Sequence, residues 1–156
     1  MTGNRIKIAK DKATLVQALM NANDKTSPFQ TYVEVMVFAA ALGAQRKKRS
    51  PLLEISKREP GPIEQEYFAT KGYDILIKLL AIAEIKNIDI LSLNNDEYDD
   101  KRTQIFEEYA NGGLEILQEE LRGVVDYSDH LLLFLTFERS NHDASEGEFN
   151  LTKFLS

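Results

Sequence analysis

The stretch SPFQTYVEVMVFAAALG, Ser27 through Gly43, decides how the rest of this chain must fold. Ser27-Pro28-Phe29-Gln30 supplies a capping serine, a proline at the first helical position and a glutamine at the third, so a helix is predicted to begin at Pro28. Its apolar residues Tyr32, Val33, Val35, Met36, Val37 and Phe38 run nearly all the way round instead of along one stripe, which predicts a helix enclosed by others. Ala39, Ala40 and Ala41 allow neighbours to approach closely, and the helix is expected to end near Gly43.

A second run of the same kind, Tyr73 to Lys86, follows a break at Gly72 and stops around Asn87. Asp74 near its start and Lys86 near its end suit the helix dipole. These two helices are expected to form the centre of the molecule. Around them, Asp11 is expected to cap a helix reaching Met20, with Leu15, Val16, Leu19 and Met20 turned inward. Gly61-Pro62-Ile63 is read as the start of a short helix with Tyr67 and Phe68 inward. The polar run Asn94 to Asp100 leads into a long helix whose inward set is Ile105, Phe106, Tyr109, Leu114, Ile116, Leu117 and Leu121. Gly112-Gly113 interrupts it at a cost of about 1 kcal/mol per glycine relative to alanine. Either the helix bends or breaks there, or another backbone packs tightly against it. Asp126-Tyr127-Ser128-Asp129 caps a last apolar helix, Leu131 to Glu138, before a polar loop over 141–148. Residues 5–9 alternate polar and apolar and could pair with an extended tail, 149–154. The expected fold is therefore mainly α: a single-domain bundle, residues 1–156, of about five or six helices with a short two-stranded pairing of the termini.

With 156 residues, 43% of them hydrophobic and 28% charged, the chain can bury a core without staples. No cysteine is present, which excludes disulfides, thiolate metal sites and cysteine nucleophiles together. The N-terminus has no apolar signal-peptide core, and Ile75 to Ile85, interrupted by Lys78 and Glu84, is too short for a bilayer. A cytoplasmic protein without membrane contact is expected. The net charge of −6 conceals an asymmetry: residues 1–60 hold 11 Lys and Arg against 5 Asp and Glu, while residues 61–156 hold 8 against 20. Such a split either forms a basic patch for an acidic partner or draws the two halves of the fold together; the second reading is preferred.

The basic run Arg46, Lys47, Lys48 and Arg49, reinforced by Lys57 and Arg58, lies in a segment, 46–60, read as an ordered but exposed loop. Cations just beyond a helix C-terminus are stabilised by the dipole, which suffices as a structural reason for them. Clustered Lys and Arg also suit a phosphate backbone, but the low pI and the lack of interleaved aromatics weigh against nucleic acid. Asp96, Glu97, Asp99 and Asp100 lack the central glycine and terminal glutamate of a calcium loop and are read as helix-capping charge. His130 and His142 stand in no metal spacing, and no phosphate-binding glycine motif or serine elbow occurs. No catalytic, cofactor or metal residues are assigned, and a non-enzymatic protein is expected.

Three stretches carry a resemblance: Phe29-Gln30-Thr31-Tyr32 through Phe38-Ala39-Ala40-Ala41-Leu42-Gly43; Gly72-Tyr73-Asp74-Ile75-Leu76-Ile77; and Ile105-Phe106-Glu107-Glu108-Tyr109-Ala110-Asn111-Gly112-Gly113-Leu114-Glu115. As a series the chain resembles the DNA phosphorothioation-associated protein 4, or dnd-system-associated, family. The resemblance implies a setting in bacterial systems that replace a backbone phosphate oxygen with sulfur and restrict unmodified foreign DNA, an anti-phage defence. It carries over no catalytic residues. Without cysteine the chain lacks the persulfide route by which sulfur is commonly transferred. The expected role is an accessory or adaptor contacting other proteins of the same system, with Tyr109, Asn111, Gly112 and Gly113 as the candidate partner contact. Direct DNA-backbone binding through 46–58 is the alternative, and nothing indicates a homo-oligomer.

Overall fold

Thr31, not Ser27, starts the central helix in the computed structural model, which describes residues 4–20 and 27–146, with backbone alone over 140–146. The Thr31 hydroxyl accepts from the Glu34 amide at 3.2 Å, and α2 runs Tyr32–Gln45. Threonine followed three residues later by glutamate is itself a capping-box pattern, and it prevails because Phe29 is held extended. The Phe29 amide donates to the Leu19 carbonyl at 3.1 Å, a parallel bridge beside Met20, which a helix beginning at Pro28 would break.

Before it, the N-terminal segment forms strand β1 (Arg5–Ile6), a 3-10 turn (Lys10–Lys12) and α1 (Ala13–Leu19), which buries Val16 and Leu19. Asp11 makes no cap; it pairs with Lys12 at 3.0 Å. β1 is antiparallel to β2 (Ile63–Glu64), with Arg5 opposite Glu64 and Ile6 opposite Ile63. The short helix expected from Gly61 thus starts later, as α3 (Gln65–Thr70), because Ile63 is engaged in the sheet. Phe68 is fully buried there, edge-on to Phe106, whereas Tyr67 faces solvent. The partner of residues 5–9 is this middle segment together with Ile55, opposite Ala9. The tail 149–154 lies outside the described residues.

α4 (Asp74–Ile85) follows Gly72, whose φ of +80° suits the chain reversal. Its position corrects the expectation of two central helices: Ile77, Leu80 and Ala81 are buried, but Ile75 and Leu79 are largely exposed. The true central pair is α2 with α5 (Asp96–Glu120). α5 is capped by the Asn95 side chain, which accepts from the amides of Glu97 and Tyr98, and it buries Ile105, Phe106, Ala110, Leu114 and Leu117. Gly112-Gly113 neither breaks nor ends it. A Cβ on Gly113 would stand 1.7 Å from the Ala39 carbonyl oxygen, and one on Gly43 would stand 2.0 Å from that of Tyr109. Glycines at these facing positions let the two backbones touch, and Gly43 consequently lies inside α2 instead of ending it.

Buried Arg102 ties a 3-10 turn (Ile88–Leu91) to α5 by donating to the carbonyls of Ile90 at 2.5 Å and Ser92 at 3.1 Å. Finally α6 spans Tyr127–Glu146, its first turn capped by Asp126, whose carboxylate accepts from the Asp129 amide at 3.0 Å. The helix therefore continues through 141–146, where a loop was expected. The protein is a mainly α fold of six α-helices and one two-stranded sheet among the described residues. No helix among them is long and apolar enough to cross a membrane.

Candidate functional site

The segment 46–60 begins as the C-terminal cap of α2. Lys47 adopts the left-handed conformation (φ 53°), its amide donates to the Ala44 carbonyl at 3.1 Å, and the Lys48 amide donates to Gly43 at 2.8 Å. This is the two-bond closure of a Schellman motif with lysine where glycine is usual. The chain then lies along α5: the Ser50 amide donates to the Glu108 carbonyl at 3.0 Å, and a Cβ on Gly112 would stand 2.0 Å from the Lys48 carbonyl oxygen. Beyond, the Lys10 amide donates to Glu54 and the Ser56 amide to Ile8, so the segment straps the N-terminus to the body.

Strapping brings three of the six candidate phosphate-binding cations onto carboxylates. Arg46 pairs with Glu138 of α6 and stands 5.7 Å over the Phe134 ring. Lys48 reaches Glu115 at 3.2 Å, and Arg49 reaches Glu108 at 2.7 Å and Glu84 at 3.0 Å. Burial opposes the Arg49 charge, yet hydrogen bonds to Glu108 and Glu84 outweigh it and hold the guanidinium above its ordinary value. Lys47, Lys57 and Arg58 remain exposed and make no ion pair among the described residues. With Arg5–Glu64, Lys7–Glu107 and Lys12–Glu115, the charge asymmetry of the sequence is expressed as pairs between the basic and acidic halves.

The candidate partner-contact residues lie beside this network. The Tyr109 hydroxyl donates to Glu84, which holds that carboxyl below its ordinary value, with Arg49 adding to the effect; the same bond pushes the Tyr109 phenol up. Arg49 and Tyr109, assigned to separate candidate sites, thus share one carboxylate. Asn111, Gly112 and Gly113 are buried. The Asn111 amide nitrogen holds the strap by donating to the carbonyls of Ser50 at 3.2 Å and Pro51 at 3.3 Å. Only half-buried Tyr109 of this set presents surface.

The acidic cluster occupies the first turn of α5, where Asp99 accepts from the Asn4 amide at 3.4 Å and from Arg102 at 3.3 Å. His130 lies 3.4 Å from Glu120; the His142 side chain lies outside the described residues. A cleft of about 660 Å³ opens beside α6, walled by Arg46, Glu138, Glu120, His130, Phe134 and Phe137.

The family model described as DNA sulphur modification system-associated protein 4 matches residues 5–154. The chain belongs to that family. As a DNA sulphur modification system-associated protein 4, it is associated with a DNA sulphur modification system. Neither the curated proteins nor the solved structures contain a match to it.

Two apolar surfaces of this family member escaped the sequence reading. On α4, Ile75 and Leu79, one turn apart and 60% and 56% exposed, lie on the face opposite buried Ile77, Leu80 and Ala81, and exposed Ile88 and Leu93 follow in the next segment. On α6, Leu131 and Phe134 dock inward while Leu132, Leu133, Leu135 and Phe137 are exposed. α4 and the stretch 131–137 of α6 are apolar on nearly all sides, a pattern that in sequence signifies burial but does not say in what.

Proposed function

We propose that the protein is a non-enzymatic accessory of its DNA sulphur modification system, an adaptor that holds another protein of the system through protein–protein contact. The observation that carries this reading is the outward apolar row of α4, Ile75 and Leu79, together with exposed Ile88 and Leu93 in the segment that follows. Large exposed apolar patches are the mark of interaction surfaces on soluble proteins. An aliphatic row of this kind suits an apolar protein face and offers no chemistry to a phosphate backbone or a reacting substrate. In this reading the protein works in the cytoplasm, takes no cofactor, and supports the modification or restriction of DNA in anti-phage defence.

Co-expression of the tagged chain with the other components of its system tests the proposal. Recovery of a complex that Ile75→Glu/Leu79→Glu abolishes, with the helical circular dichroism retained, is the expected result. A wild-type chain that purifies without any component of the system overturns it. Direct DNA-backbone binding through 46–58 is the second reading, and it now rests on Lys47, Lys57 and Arg58, which make no ion pair among the described residues. Three phosphate contacts give a salt slope near −3 at most in a plot of log affinity against log salt. A duplex titration whose slope is unchanged by Lys47→Glu/Lys57→Glu/Arg58→Glu eliminates it.

A further inference from the structure

We infer that the cleft beside α6 docks a protein segment in which lysine or arginine is interspersed with apolar residues, carried by a DNA-handling component of the system. Leu133, Phe134 and Phe137 form the apolar part of the cleft, and Leu133 and Phe137 are each 68% exposed. The Glu120–His130 pair stands at one end and Arg46–Glu138 at the other. His130 and Glu138 are eight residues apart on α6, so the stretch between the two pairs spans about 12 Å, or two turns of helix.

A bare apolar strip would accept any apolar face, but the charge around this one selects a cationic partner. Residues 119–139 carry five carboxylates, Glu119, Glu120, Asp126, Asp129 and Glu138, against the two guanidinium groups of Arg122 and Arg139. Arg46 of α2 reduces the surplus without cancelling it. The cleft already holds one guanidinium, the chain's own: Arg46 pairs with Glu138 and stands 5.7 Å over the Phe134 ring. Glu120 has only His130 at 3.4 Å, an imidazole that is cationic only when protonated. Glu120 is therefore the carboxylate that takes the incoming cation, whose alkyl stem lies on Leu133 and Phe137. The same surplus repels a phosphate backbone. Proteins that handle DNA carry clustered Lys and Arg for that backbone, and this family is associated with a DNA sulphur modification system. The choice of a protein partner rests on the adaptor reading, but the contact uses α6 and not the α4 row.

The test is a fluorescence anisotropy titration of the purified full-length chain into a labelled peptide of two Leu-Lys-Lys-Leu-Leu-Lys-Leu heptads. Binding that weakens with salt is expected, and none to the same peptide with glutamate in place of lysine. Glu120→Gln should weaken binding by about tenfold. Leu133→Gln and Phe137→Gln, which leave the net charge unchanged and lie at exposed positions, should retain helical circular dichroism and each weaken it by about tenfold or more. Ile75→Glu/Leu79→Glu should not weaken it, so failure of the cleft and failure of the α4 contact are read separately. A lysine peptide that does not bind overturns the inference, as does equal binding of the glutamate peptide. Binding indifferent to Leu133→Gln and Phe137→Gln is general attraction to an acidic protein and overturns it too.

Discussion

Gly113→Ala isolates the contact on which the fold turns. An added Cβ would lie 1.7 Å from the Ala39 carbonyl oxygen, 2.5 Å from its carbon and 2.9 Å from its Cα, all backbone atoms of a helix interior that cannot rotate away. Restoring ordinary contact requires α2 and α5 to separate by roughly 1.5 Å, enough to forfeit a good part of the dispersion along their seam. Ala39, Ala40, Met36, Ala110 and Leu114, all buried, line that region. Overpacking of this kind costs about 1–3 kcal/mol, and more where backbone meets backbone, while removing glycine from a helix interior returns about 1 kcal/mol. With the backbone clash set above that range, at about 4 kcal/mol, the net loss is about 3 kcal/mol, or a fall in Tm of about 6–12 °C for a chain of this length. Urea unfolding followed by circular dichroism reads it, with Gly72→Ala as the control. Gly72 has φ +80° and nothing within 4 Å of an added Cβ, so only left-handed strain of about 1–2 kcal/mol applies. Gly43→Ala, whose Cβ would lie 2.0 Å from the Tyr109 oxygen, forces the same separation, so the double variant should lose less than the sum of the two singles. A Gly113→Ala protein as stable as wild type, or strictly additive losses, would refute the backbone contact.

Lys47→Gly should stabilise the protein by about 0.5–1 kcal/mol, since glycine takes the left-handed cap position without the strain lysine bears; a loss in denaturant midpoint would contradict the cap. Arg49→Met should cost about 1–3 kcal/mol by leaving Glu108 and Glu84 without their shared cation, and a Glu84→Gln background should reduce the loss in a double-mutant cycle. Burial first, then the hydrogen bond to and charge of Glu59, push the Tyr32 phenol up to about 12. Because the folded state keeps that proton while the unfolded chain releases it near 10, stability should fall as pH rises from 10 to about 12, and Tyr32→Phe should blunt the fall. Burial raises the Glu107 carboxyl against the opposing Lys7 amide at 2.6 Å. Wild type should therefore gain stability relative to Glu107→Gln as pH falls from neutral toward 4.5, where the unfolded carboxyl titrates; a relative loss over that interval would reverse the assignment.

Sequence alone determined the helical class, most helix cores, the start of α5 within its polar lead-in and the strong charge asymmetry, since these depend on residues near one another in the chain. It also narrowed Gly112-Gly113 to a kink or a close approach. Tertiary structure chose the close approach, because only the facing Ala39 and Gly43 of α2 show what occupies the missing side-chain space. It moved the start of α2 from Pro28 to Tyr32, since the bond from Phe29 to Leu19 is invisible to a local capping rule. The basic run looked alike at each position, yet contact with Glu138, Glu115, Glu108 and Glu84 separates Arg46, Lys48 and Arg49 from the exposed Lys47, Lys57 and Arg58. The apolar faces of α4 and α6 were equally undecidable in sequence. Hydrophobicity fixes that a side chain favours leaving water, but only the arrangement of neighbours decides whether the same chain provides the cover, and for Ile75, Leu79, Leu132 and Leu133 its described residues do not.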